Sequence, residues 1–427
     1  MFRDGDFFED DSGASYTVVK ALSGGGMGST YIVEDLSSSI QYVSKTPLTG
    51  TPLECKKVLN EYRILKDLEQ KGVDNIVRAH ALASSVEVGG KKFPCFMMEF
   101  AKDIELNKYL KNNGPMDPKD VEDFLLKISK TMSEVHKAGY IHRDMKPENL
   151  FVKDVGGQNQ FTIIDWGIAA VKDDHNTFAH TQTNAWTPFW CPPEQEQGTV
   201  SIGNDIFSLG AIGYAMIIPY SEIIRDSKNS ISPPYNPSWK LGKDKATEHL
   251  FKVIEKATQP VRGDRFATME EFSDALEGKK PPEAYPRIVA DGTSHPLMKE
   301  FDQWTIGRNS PIDSRADILV NEAGGPGSRY IARLQARIER TGESSFLLHH
   351  TGLNDTRVGI DKDGIIDWRN IEKGGRGWPL GPRYCMICFG YADHSPGKLD
   401  DYGNPLQPGP YKVIEFFPPN PESIKQT

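Results

Sequence analysis

The 427-residue sequence has few cysteines and no long apolar run, and its 50 basic residues are outnumbered by 59 acidic ones. Its five cysteines are few and odd in number, which suits a reducing cytosol and argues against a disulfide scaffold. No apolar run approaches the roughly 18 residues that a membrane-spanning helix needs, and the N-terminus lacks a signal-peptide core. The net charge of −9 argues against a general nucleic-acid binder. What remains is a chain long enough for two or three globular domains, without repeats or low-complexity tracts.

One ten-residue segment, Ile141–Leu150, places three kinds of polar side chain at fixed spacing. Asp144 supplies a carboxylate, Lys146 an ammonium group and Asn149 an amide. Together such groups can orient a hydroxyl, neutralise a phosphoryl group in transfer and hold a magnesium ion. The segment resembles the H-R-D-x-K-P-x-N catalytic loop of protein kinases and agrees with it at all six specified positions.

Two upstream segments resemble the same family. Leu22–Tyr31 is a glycine cluster, in which Ser23 stands where the first glycine of a kinase glycine-rich loop usually lies. Glycine lets the backbone approach phosphate groups without a Cβ atom in the way. Lys45 follows in Tyr42-Val43-Ser44-Lys45, at the position of the strand lysine that contacts the α- and β-phosphates.

The partner of that lysine should lie on the next helix. Apolar residues at helical spacing predict a helix over residues 53–68. Glu61 is the expected partner of Lys45, and Glu54 is the competing choice. Glu61 is preferred because Glu-x-x-Ile-Leu, followed by the segment Asp74–Val77, matches the family pattern for this helix and the strand after it.

Downstream segments match the family in order: a strand that ends in Asp165 within D-W-G, the segment 186–195 in place of G-T-x-x-Y-x-A-P-E, and the motifs around Asp205 and Arg265. Arg265 is expected to pair with Glu194, and Asp205 to support the catalytic loop. In the segment 186–195 a Trp replaces the Gly and a Pro replaces the Ala. Both changes lie where a peptide substrate would bind, so they concern substrate preference rather than chemistry.

The resemblance covers residues 14–277 and implies an α+β fold with two lobes, over about 14–100 and 101–277. It implies a Ser/Thr protein kinase that uses ATP and Mg²⁺ and acts on protein substrates in signal transduction. The net charge and the lack of a long apolar run predict that the chain binds neither nucleic acid nor membrane. The Lys two residues after the catalytic Asp follows the Ser/Thr rather than the Tyr pattern. The segment around Arg265 disfavours a kinase of small molecules.

The resemblance also implies residue roles. Asp144 would orient the substrate hydroxyl and accept its proton, while Lys146 would stabilise charge on the γ-phosphoryl group. Asn149 and Asp165 would hold magnesium. The ATP site would further include Ser23, Gly24, Gly25, Gly26, Gly28, Val43, Lys45, the gatekeeper Met98, the backbone of Glu99 and Ala101, and Phe151. The structural residues would be Arg143, Thr187, Glu194, Asp205 and Arg265, and candidate activation-loop phosphorylation sites are Thr177, Thr181 and Thr183.

The character of the sequence changes after the kinase-like region. Residues 278–290 are predicted to be a linker because they are rich in Pro, Gly and Lys. In residues 291–415 short apolar runs alternate with Gly, Asn, Asp and Pro clusters, which predicts an all-β sandwich with strands near 346–350, 365–368 and 384–391. The sequence at 361–364 predicts a hairpin turn rather than a calcium loop. A C-terminal tail would occupy residues 416–427.

Three segments of this region resemble a forkhead-associated (FHA) domain, a β-sandwich that binds phosphothreonine peptides through its loops. They lie at 304–309, 331–338 and 352–358 and supply a candidate peptide face of Arg308, Arg333 and Asn354. Ala332 replaces the family's phosphate-binding Ser, and Gln335 replaces its structural His. Losing that hydroxyl removes a hydrogen bond to a charged group, worth about 1.5–3 kcal/mol. A shifted register would use Ser328 and Arg329 instead.

Two alternatives stay open beside the kinase interpretation. The FHA-like domain would either bind phosphopeptides or serve as a docking module for the kinase lobes. The whole chain could instead be a catalytically weak scaffold that acts through binding, as the changes at Ser23, Trp186 and Ala332 suggest. Transfer of labelled phosphate from ATP to the protein itself separates the scaffold from the enzyme.

Overall fold

The computed structural model of the protein describes residues 2–25, 28–88, 90–100, 103–155, 158–167, 189–196, 201–221, 245–260, 262–279, 286–290, 293–297, 301–308, 316–320, 332, 334–342, 345–353, 355–362, 365–381, 383–390 and 411–418. They belong to two compact units. The first unit comprises residues 1–115, 144–169 and 219–221, and the second comprises residues 116–143, 170–218 and 222–427.

The first unit is built on a six-stranded sheet with the order β1-β2-β3-β4-β6-β5. Neighbouring strands are antiparallel throughout. Its strands are β1 (Phe7–Glu9), β2 (Ser15–Gly25), β3 (Gly28–Asp35), β4 (Gln41–Thr46), β5 (Ala79–Val88) and β6 (Lys91–Glu99).

Residues before position 14 take part in this sheet. Strand β1 pairs with β2, with Phe7 opposite Thr17. The Phe2 and Phe8 rings stack with centroids 5.0 Å apart, and Phe8 stacks on Tyr16 at 5.6 Å. The sheet therefore begins earlier than the boundary at residue 14 that the sequence suggested.

Helix α1 (Pro52–Gln70) accounts for the predicted helix over 53–68. It begins with a capping box, because the Thr51 hydroxyl accepts from the Glu54 N–H at 3.4 Å while the Glu54 carboxylate accepts from the Thr51 N–H at 3.3 Å. Val58, Leu65 and Leu68 recur at helical spacing on the buried face.

A second, three-stranded sheet completes the first unit in the order β7-β8-β9. Its strands are β7 (Ile104–Glu105), β8 (Leu150–Val155) and β9 (Gln158–Ile163), and helix α2 (Leu106–Asn113) follows β7 directly. Strand β8 begins at Leu150, the last residue of the segment Ile141–Leu150, and β9 ends at Ile163, two residues before Asp165. The two predicted catalytic segments therefore flank the hairpin of β8 and β9.

The second unit combines a helical part with a β-rich part. The helical part contains α3 (Pro118–Lys137), α4 (Pro193–Glu196), α5 (Ile202–Ile217), α6 (Lys245–Ala257) and α7 (Met269–Leu276). Every residue of α5 is buried. No helix within the described residues is both long and apolar enough to cross a membrane.

The β-rich part, called the C-terminal sandwich here, comprises strands β10 to β20. They are β10 (Arg287–Ala290), β11 (Thr293–Pro296), β12 (Gln303–Arg308), β13 (Ile318–Val320), β14 (Ala336–Arg340), β15 (Phe346–His350), β16 (Thr356–Lys362), β17 (Ile365–Asn370), β18 (Trp378–Leu380), β19 (Cys385–Gly390) and β20 (Tyr411–Phe417). One sheet has the order β11-β10-β20-β19-β16-β17, and the other has the order β13-β12-β14-β15-β18.

Apolar side chains from both sheets share one core, as in a β-sandwich. Ile306, Ile338 and Leu348 enter it from the five-stranded sheet, while Ile387 and Phe416 enter it from the six-stranded sheet. The predicted strands near 346–350, 365–368 and 384–391 are confirmed. Strands β16 and β17 pair across the predicted hairpin, with Lys362 opposite Ile365.

The sandwich extends past both boundaries that the sequence suggested. Strand β10 occupies residues 287–290, which the sequence assigned to the linker, and it pairs with β20 through Arg287 opposite Phe417. The sequence assigned Phe416 and Phe417 to the C-terminal tail, yet both are buried. Pairing of β10 with β20 joins the hairpin of β10 and β11 to the rest of the six-stranded sheet, and the composition of a linker gives no sign of such pairing.

Candidate active site

Lys45 on strand β4 contacts two carboxylates of the first unit, those of Glu61 and Asp165. The Lys45 Nζ atom lies 2.7 Å from Glu61 Oε2 and 2.6 Å from Asp165 Oδ1. Burial alone would lower the pKa of Lys45, but the carboxylates of Asp165 and Glu61 outweigh it, so the pKa is raised above its ordinary value. The ammonium group is therefore charged and held between two carboxylates.

Helix α1 presents Glu61 and not Glu54 to this lysine. Glu61 is 1% exposed, and its Oε1 atom also accepts the Trp166 backbone N–H at 3.2 Å. Glu54 lies at the start of the helix, where its carboxylate accepts from Thr49 and Thr51. The two glutamates thus have separate tasks, one in the site and one in the helix cap.

The predicted catalytic loop brings its three polar side chains together. Lys146 Nζ lies 2.6 Å from Asp144 Oδ2. Asn149 Nδ2 donates to the same Oδ2 at 3.1 Å and to the Asp144 backbone carbonyl at 2.8 Å. A short 3₁₀ turn, Pro147–Asn149, supplies the spacing that folds Asn149 back onto Asp144.

Asp165 follows strand β9 and lies beside the catalytic loop in the same unit. The backbone N–H of Ile164 donates to the Asn149 carbonyl at 3.0 Å, which joins the two segments. Asp165 has a φ of 62°, in the left-handed region that Asp and Asn tolerate better than most residues. The neighbouring Trp166 is fully buried, as expected for a large apolar ring in place of the family's Phe.

A magnesium ion fits the donors at this position. The amide nitrogen of Asn149 is engaged by Asp144, which leaves the amide oxygen as the atom of Asn149 able to bind a metal. The Asp165 side chain is 27% exposed and brings a carboxylate. Carboxylate and amide oxygens are the ligands that Mg²⁺ prefers in proteins, so both predicted ligands are chemically suitable.

The remaining predicted ATP-site residues divide between described and undescribed positions. Ser23, Gly24 and Gly25 belong to the backbone of β2, whereas Gly26 and Ala101 lie outside the described residues. Gly28 has a φ of 149°, and a Cβ there would lie 2.4 Å from the Thr46 carbonyl oxygen, so only glycine fits.

Two of the residues predicted to line the adenine site lie on neighbouring strands. Val43 and Met98 are opposite each other across β4 and β6. The backbone N–H of Glu99 donates to the Arg78 carbonyl at 2.9 Å, so an adenine contact by Glu99 can involve only its carbonyl. Phe151 lies on β8 opposite Thr162.

In the second unit, Asp205 holds the backbone of the segment that leads into Asp144. Its carboxylate accepts the N–H of His142 at 2.9 Å, the N–H of Arg143 at 2.8 Å, and lies 2.9 Å from His136 Nε2. Burial would raise the pKa of Asp205, but the hydrogen bond and charge of His136 and the backbone hydrogen bonds lower it overall. Arg143 has a φ of 71°, a conformation that needs such external support.

A second buried ion pair joins Glu194 to Arg265. Arg265 Nη1 and Nη2 donate to the two carboxylate oxygens at 2.6 and 2.9 Å, a bidentate geometry. The pair links α4 to the residues that precede α7, as the sequence predicted. Thr187 and the candidate phosphorylation sites Thr177, Thr181 and Thr183 lie outside the described residues.

The three FHA-like segments converge at one end of the C-terminal sandwich. The Arg308 N–H donates to the Ala332 carbonyl at 3.1 Å, and the Gly352 N–H donates to the Gln335 carbonyl at 2.9 Å. Gln335 is fully buried, and its amide joins the Ala332 N–H to the Thr356 hydroxyl. Arg308 is half-buried, while Arg333, Asn354 and the alternative Ser328–Arg329 lie outside the described residues.

Sequence reasoning missed several polar residues that connect these parts. Gln195 Nε2 donates to the Arg143 carbonyl at 2.7 Å, and Asn204 Nδ2 donates to Gln195 Oε1 at 2.7 Å. Arg262 forms an ion pair with Glu415, 153 positions away. The positions of Gln195 and Asn204 beside the predicted Glu194 and Asp205 were the available signal. Nothing local in the sequence connects Arg262 with Glu415.

Comparison with known proteins identifies the family. The protein kinase domain matches residues 16–270, which is more than half of the chain. The chain therefore belongs to the protein kinase family.

Two similar curated proteins and one similar solved structure come from bacteria. A probable serine/threonine-protein kinase PknB of Bifidobacterium longum (strain NCC 2705) is 26% identical over 271 residues, 61% of this chain and 39% of that protein. Serine/threonine-protein kinase PrkC of Bacillus subtilis (strain 168) is 23% identical over 262 residues, 60% of this chain and 39% of that protein. A crystal structure of the Mycobacterium tuberculosis PknI kinase domain, a double mutant, is 18% identical and covers 65% of this chain and 98% of its own, with a TM-score of 0.42. The chain thus spans about two fifths of the length of these two curated relatives.

Proposed function

We propose that the chain is a Ser/Thr protein kinase that transfers the γ-phosphoryl group of ATP to protein hydroxyl groups. The observation that carries the proposal is the buried Lys45, in contact with both Glu61 and Asp165. Kinase chemistry needs the strand lysine aligned by the helix glutamate and the metal-binding aspartate in place at the same time. In the first unit Lys45 contacts both carboxylates at once.

The catalytic loop has a matching division of tasks. Asp144 is the only carboxylate of that loop that contacts both Lys146 and Asn149 within the described residues, so it would orient the substrate hydroxyl and accept its proton. Lys146 would stabilise charge on the transferred group. When bound, Mg²⁺ would neutralise phosphate charge between Asn149 and Asp165.

Two glutamates on one helix give the sharpest test of the ATP site. Glu61→Gln removes the charge that holds Lys45, whereas Glu54→Gln changes the same residue type at an exposed helix cap. Transfer of labelled phosphate from ATP to the protein or to a generic acceptor should fall by roughly tenfold or more in Glu61→Gln. It should stay near the wild-type value in Glu54→Gln.

Asp144→Asn provides the second arm of this experiment. It keeps size and polarity but cannot accept a proton, so transfer should be lost while the protein stays folded. Phosphoamino-acid analysis of the wild-type product should show phosphoserine or phosphothreonine. If the wild type transfers no phosphate under any condition, the alternative of a catalytically inactive scaffold is the correct one.

For the C-terminal sandwich we propose an FHA-like domain that binds a phosphothreonine-containing partner weakly. The convergence of Arg308, Ala332 and Gly352 around the buried Gln335 supports this, because it groups all three FHA-like segments at one end. Fluorescence titration of the full chain with phosphothreonine and unmodified peptides tests it. Binding that depends on the phosphate and weakens in Arg308→Ala supports the proposal. Equal binding of both peptides favours a docking module.

A further inference from the structure

The C-terminal sandwich packs against the helical part next to the catalytic loop. Ile141, Ile202 and Ala267 of the helical part share a buried cluster with Tyr384, Met386 and Phe417, which lie on the outer face of the six-stranded sheet. Ile141 directly precedes His142 and Arg143. The sandwich therefore buries Ile141, the residue directly before the two whose backbone N–H groups donate to Asp205.

An arginine from the helical part is buried in this contact with a countercharge from the sandwich. Arg262 is 1% exposed, and its Nε lies 2.9 Å from Glu415 Oε1 while its Nη2 donates to Oε2 at 3.0 Å. The Tyr384 hydroxyl donates to Glu415 Oε1 at 2.5 Å. A buried guanidinium needs such a partner, because an unpaired buried charge is strongly unfavourable.

The backbone around Arg262 is shaped to admit the sandwich. A Cβ at Gly263 would lie 2.5 Å from the Cβ of Tyr384, so the close approach of Tyr384 requires glycine at this position. The Arg262 guanidinium also lies 5.0 Å from the centroid of the Phe417 ring, a distance at which cation–π attraction contributes. Tyr384 and Phe417 of the sandwich are therefore in close contact with the segment of Arg262 and Gly263.

From Arg262 a chain of hydrogen bonds leads to the catalytic loop. Arg262 Nε donates to the Ser201 hydroxyl at 3.3 Å. The Ser201 N–H donates to Asn204 Oδ1 at 2.7 Å, and Asn204 donates to Gln195 at 2.7 Å. Gln195 in turn donates to the Arg143 carbonyl at 2.7 Å. Ser201 is also the N-cap of α5, the helix that carries Asp205.

Both backbone polar groups of Arg143 are therefore hydrogen-bonded. Its N–H donates to Asp205, and its carbonyl accepts from Gln195. The positive φ of Arg143 is unfavourable for a side chain with a Cβ and persists only where the surroundings fix it. Because Asp144 is the next residue, the position of its backbone depends on the backbone conformation of Arg143.

We propose that Glu415 of the C-terminal sandwich is a positioning residue for the catalytic loop, acting through Arg262 and the hydrogen bonds of Ser201, Asn204 and Gln195. The sandwich then helps to fix the backbone that leads into Asp144. The effect on catalysis rests on the proposed kinase function, but the hydrogen bonds and their effect on the Arg143 backbone do not.

Amide hydrogen exchange of the full chain tests the chain of contacts without relying on activity. Glu415→Gln keeps the shape of the side chain and removes the countercharge of Arg262. Tyr384→Phe keeps the ring and removes only the hydroxyl that donates to Glu415. Exchange in the peptide that contains His142 and Arg143 should become about tenfold faster in Glu415→Gln, the size expected for loss of one charged hydrogen bond. Tyr384→Phe should change it in the same direction and by less.

Glu339→Gln is the matched control within the sandwich. Among the described residues Glu339 contacts Arg337 at 3.2 Å and His349 at 3.1 Å, both of them in the sandwich. Exchange at His142 and Arg143 should stay unchanged in this variant. An effect confined to the catalytic loop and the start of α5 supports the proposal. No change in either test variant, or a uniform acceleration over the whole helical part, overturns it.

Steady-state kinetics adds a readout that a merely stabilising contact would not give. In Glu415→Gln, kcat should fall several-fold, on the order of the exchange effect, while KM for ATP should stay near the wild-type value because Lys45 and Glu61 are not part of the chain of contacts. Equal kcat in the two proteins overturns the positioning role. If the wild type shows no transfer at all, the proposed function fails, and the exchange experiment alone decides on Glu415.

Discussion

Replacing Asp205 by Asn should destabilise the protein and the backbone conformation of the catalytic loop, although the two side chains have nearly the same shape. The carboxylate receives two backbone N–H groups, from His142 and Arg143, and contacts His136. An Asn side chain offers one oxygen and one NH₂ group, so at least one of these donors faces another donor. Asp205 is fully buried, which prevents water from replacing the lost acceptor.

The loss of one hydrogen-bond acceptor sets the expected decrease in stability. Loss of one hydrogen bond to a buried charged group corresponds to about 1.5–3 kcal/mol, and urea unfolding should show a decrease of this size in the free energy of unfolding. Asp74→Asn is the matched control, because Asp74 pairs with Arg78 at 2.8 Å but its side chain is 80% exposed. An exposed pair of this kind contributes about 1 kcal/mol or less.

The pH dependence of the same variant gives an independent check. The pKa of Asp205 is lowered in the folded protein, so its contribution to stability is present above the unfolded pKa of about 3.9. It is lost as the pH falls through the lower, folded value. The difference in unfolding free energy between wild type and Asp205→Asn should therefore be constant from neutral pH to about pH 4.5 and shrink in stronger acid. A variant within about 0.5 kcal/mol of wild type at pH 7, with unchanged kcat, would refute this reasoning.

Three further outcomes are expected. Asp165→Asn should abolish phosphate transfer and leave the fold intact, because Asn tolerates the φ of 62° but brings no carboxylate for the metal; circular dichroism and a transfer assay check both parts. Mass spectrometry of active protein should find phosphate on Thr177, Thr181 or Thr183, since an Arg directly before the catalytic Asp is commonly balanced by a loop phosphate, and an unmodified loop in fully active protein would contradict this. Ala332→Ser should tighten phosphothreonine-peptide binding roughly tenfold or more by restoring a hydrogen bond to the phosphate, and titration that shows equal affinities would instead favour the shifted register.

The grouping of the polar side chains in the predicted catalytic loop could be foreseen because it follows from local spacing. Asp144, Lys146 and Asn149 lie within six positions, and one short turn suffices to bring them together. The choice of Glu61 over Glu54 rested on the family pattern Glu-x-x-Ile-Leu, and in the structure Glu61 contacts Lys45 while Glu54 belongs to the helix cap. In such cases the backbone geometry follows from the sequence before tertiary packing is known.

The supporting residues were not accessible in this way. Gln195 and Asn204 are ordinary polar residues, and their value arises only when α4 and α5 lie side by side. The pair of Arg262 and Glu415 spans 153 positions, and each residue alone would be assigned to the solvent-exposed surface, as charged residues mostly are. Only the packing of the sandwich against the helical part turns these two charges into a buried pair.

The same packing explains why the domain boundary could not be located from composition. The Pro-rich and Lys-rich segment after α7 indicates a flexible connection, yet Arg287 at the start of β10 pairs with Glu271 of α7 at 2.8 Å and lies 5.1 Å from the Phe417 ring. A segment that links two independent domains would not bury a charge pair at its end. The sandwich is therefore joined to the helical part by buried apolar contacts and by the ion pair of Arg262 and Glu415. If the proposed role of Glu415 holds, a substitution there would alter the catalytic loop whether or not the sandwich also binds a phosphopeptide.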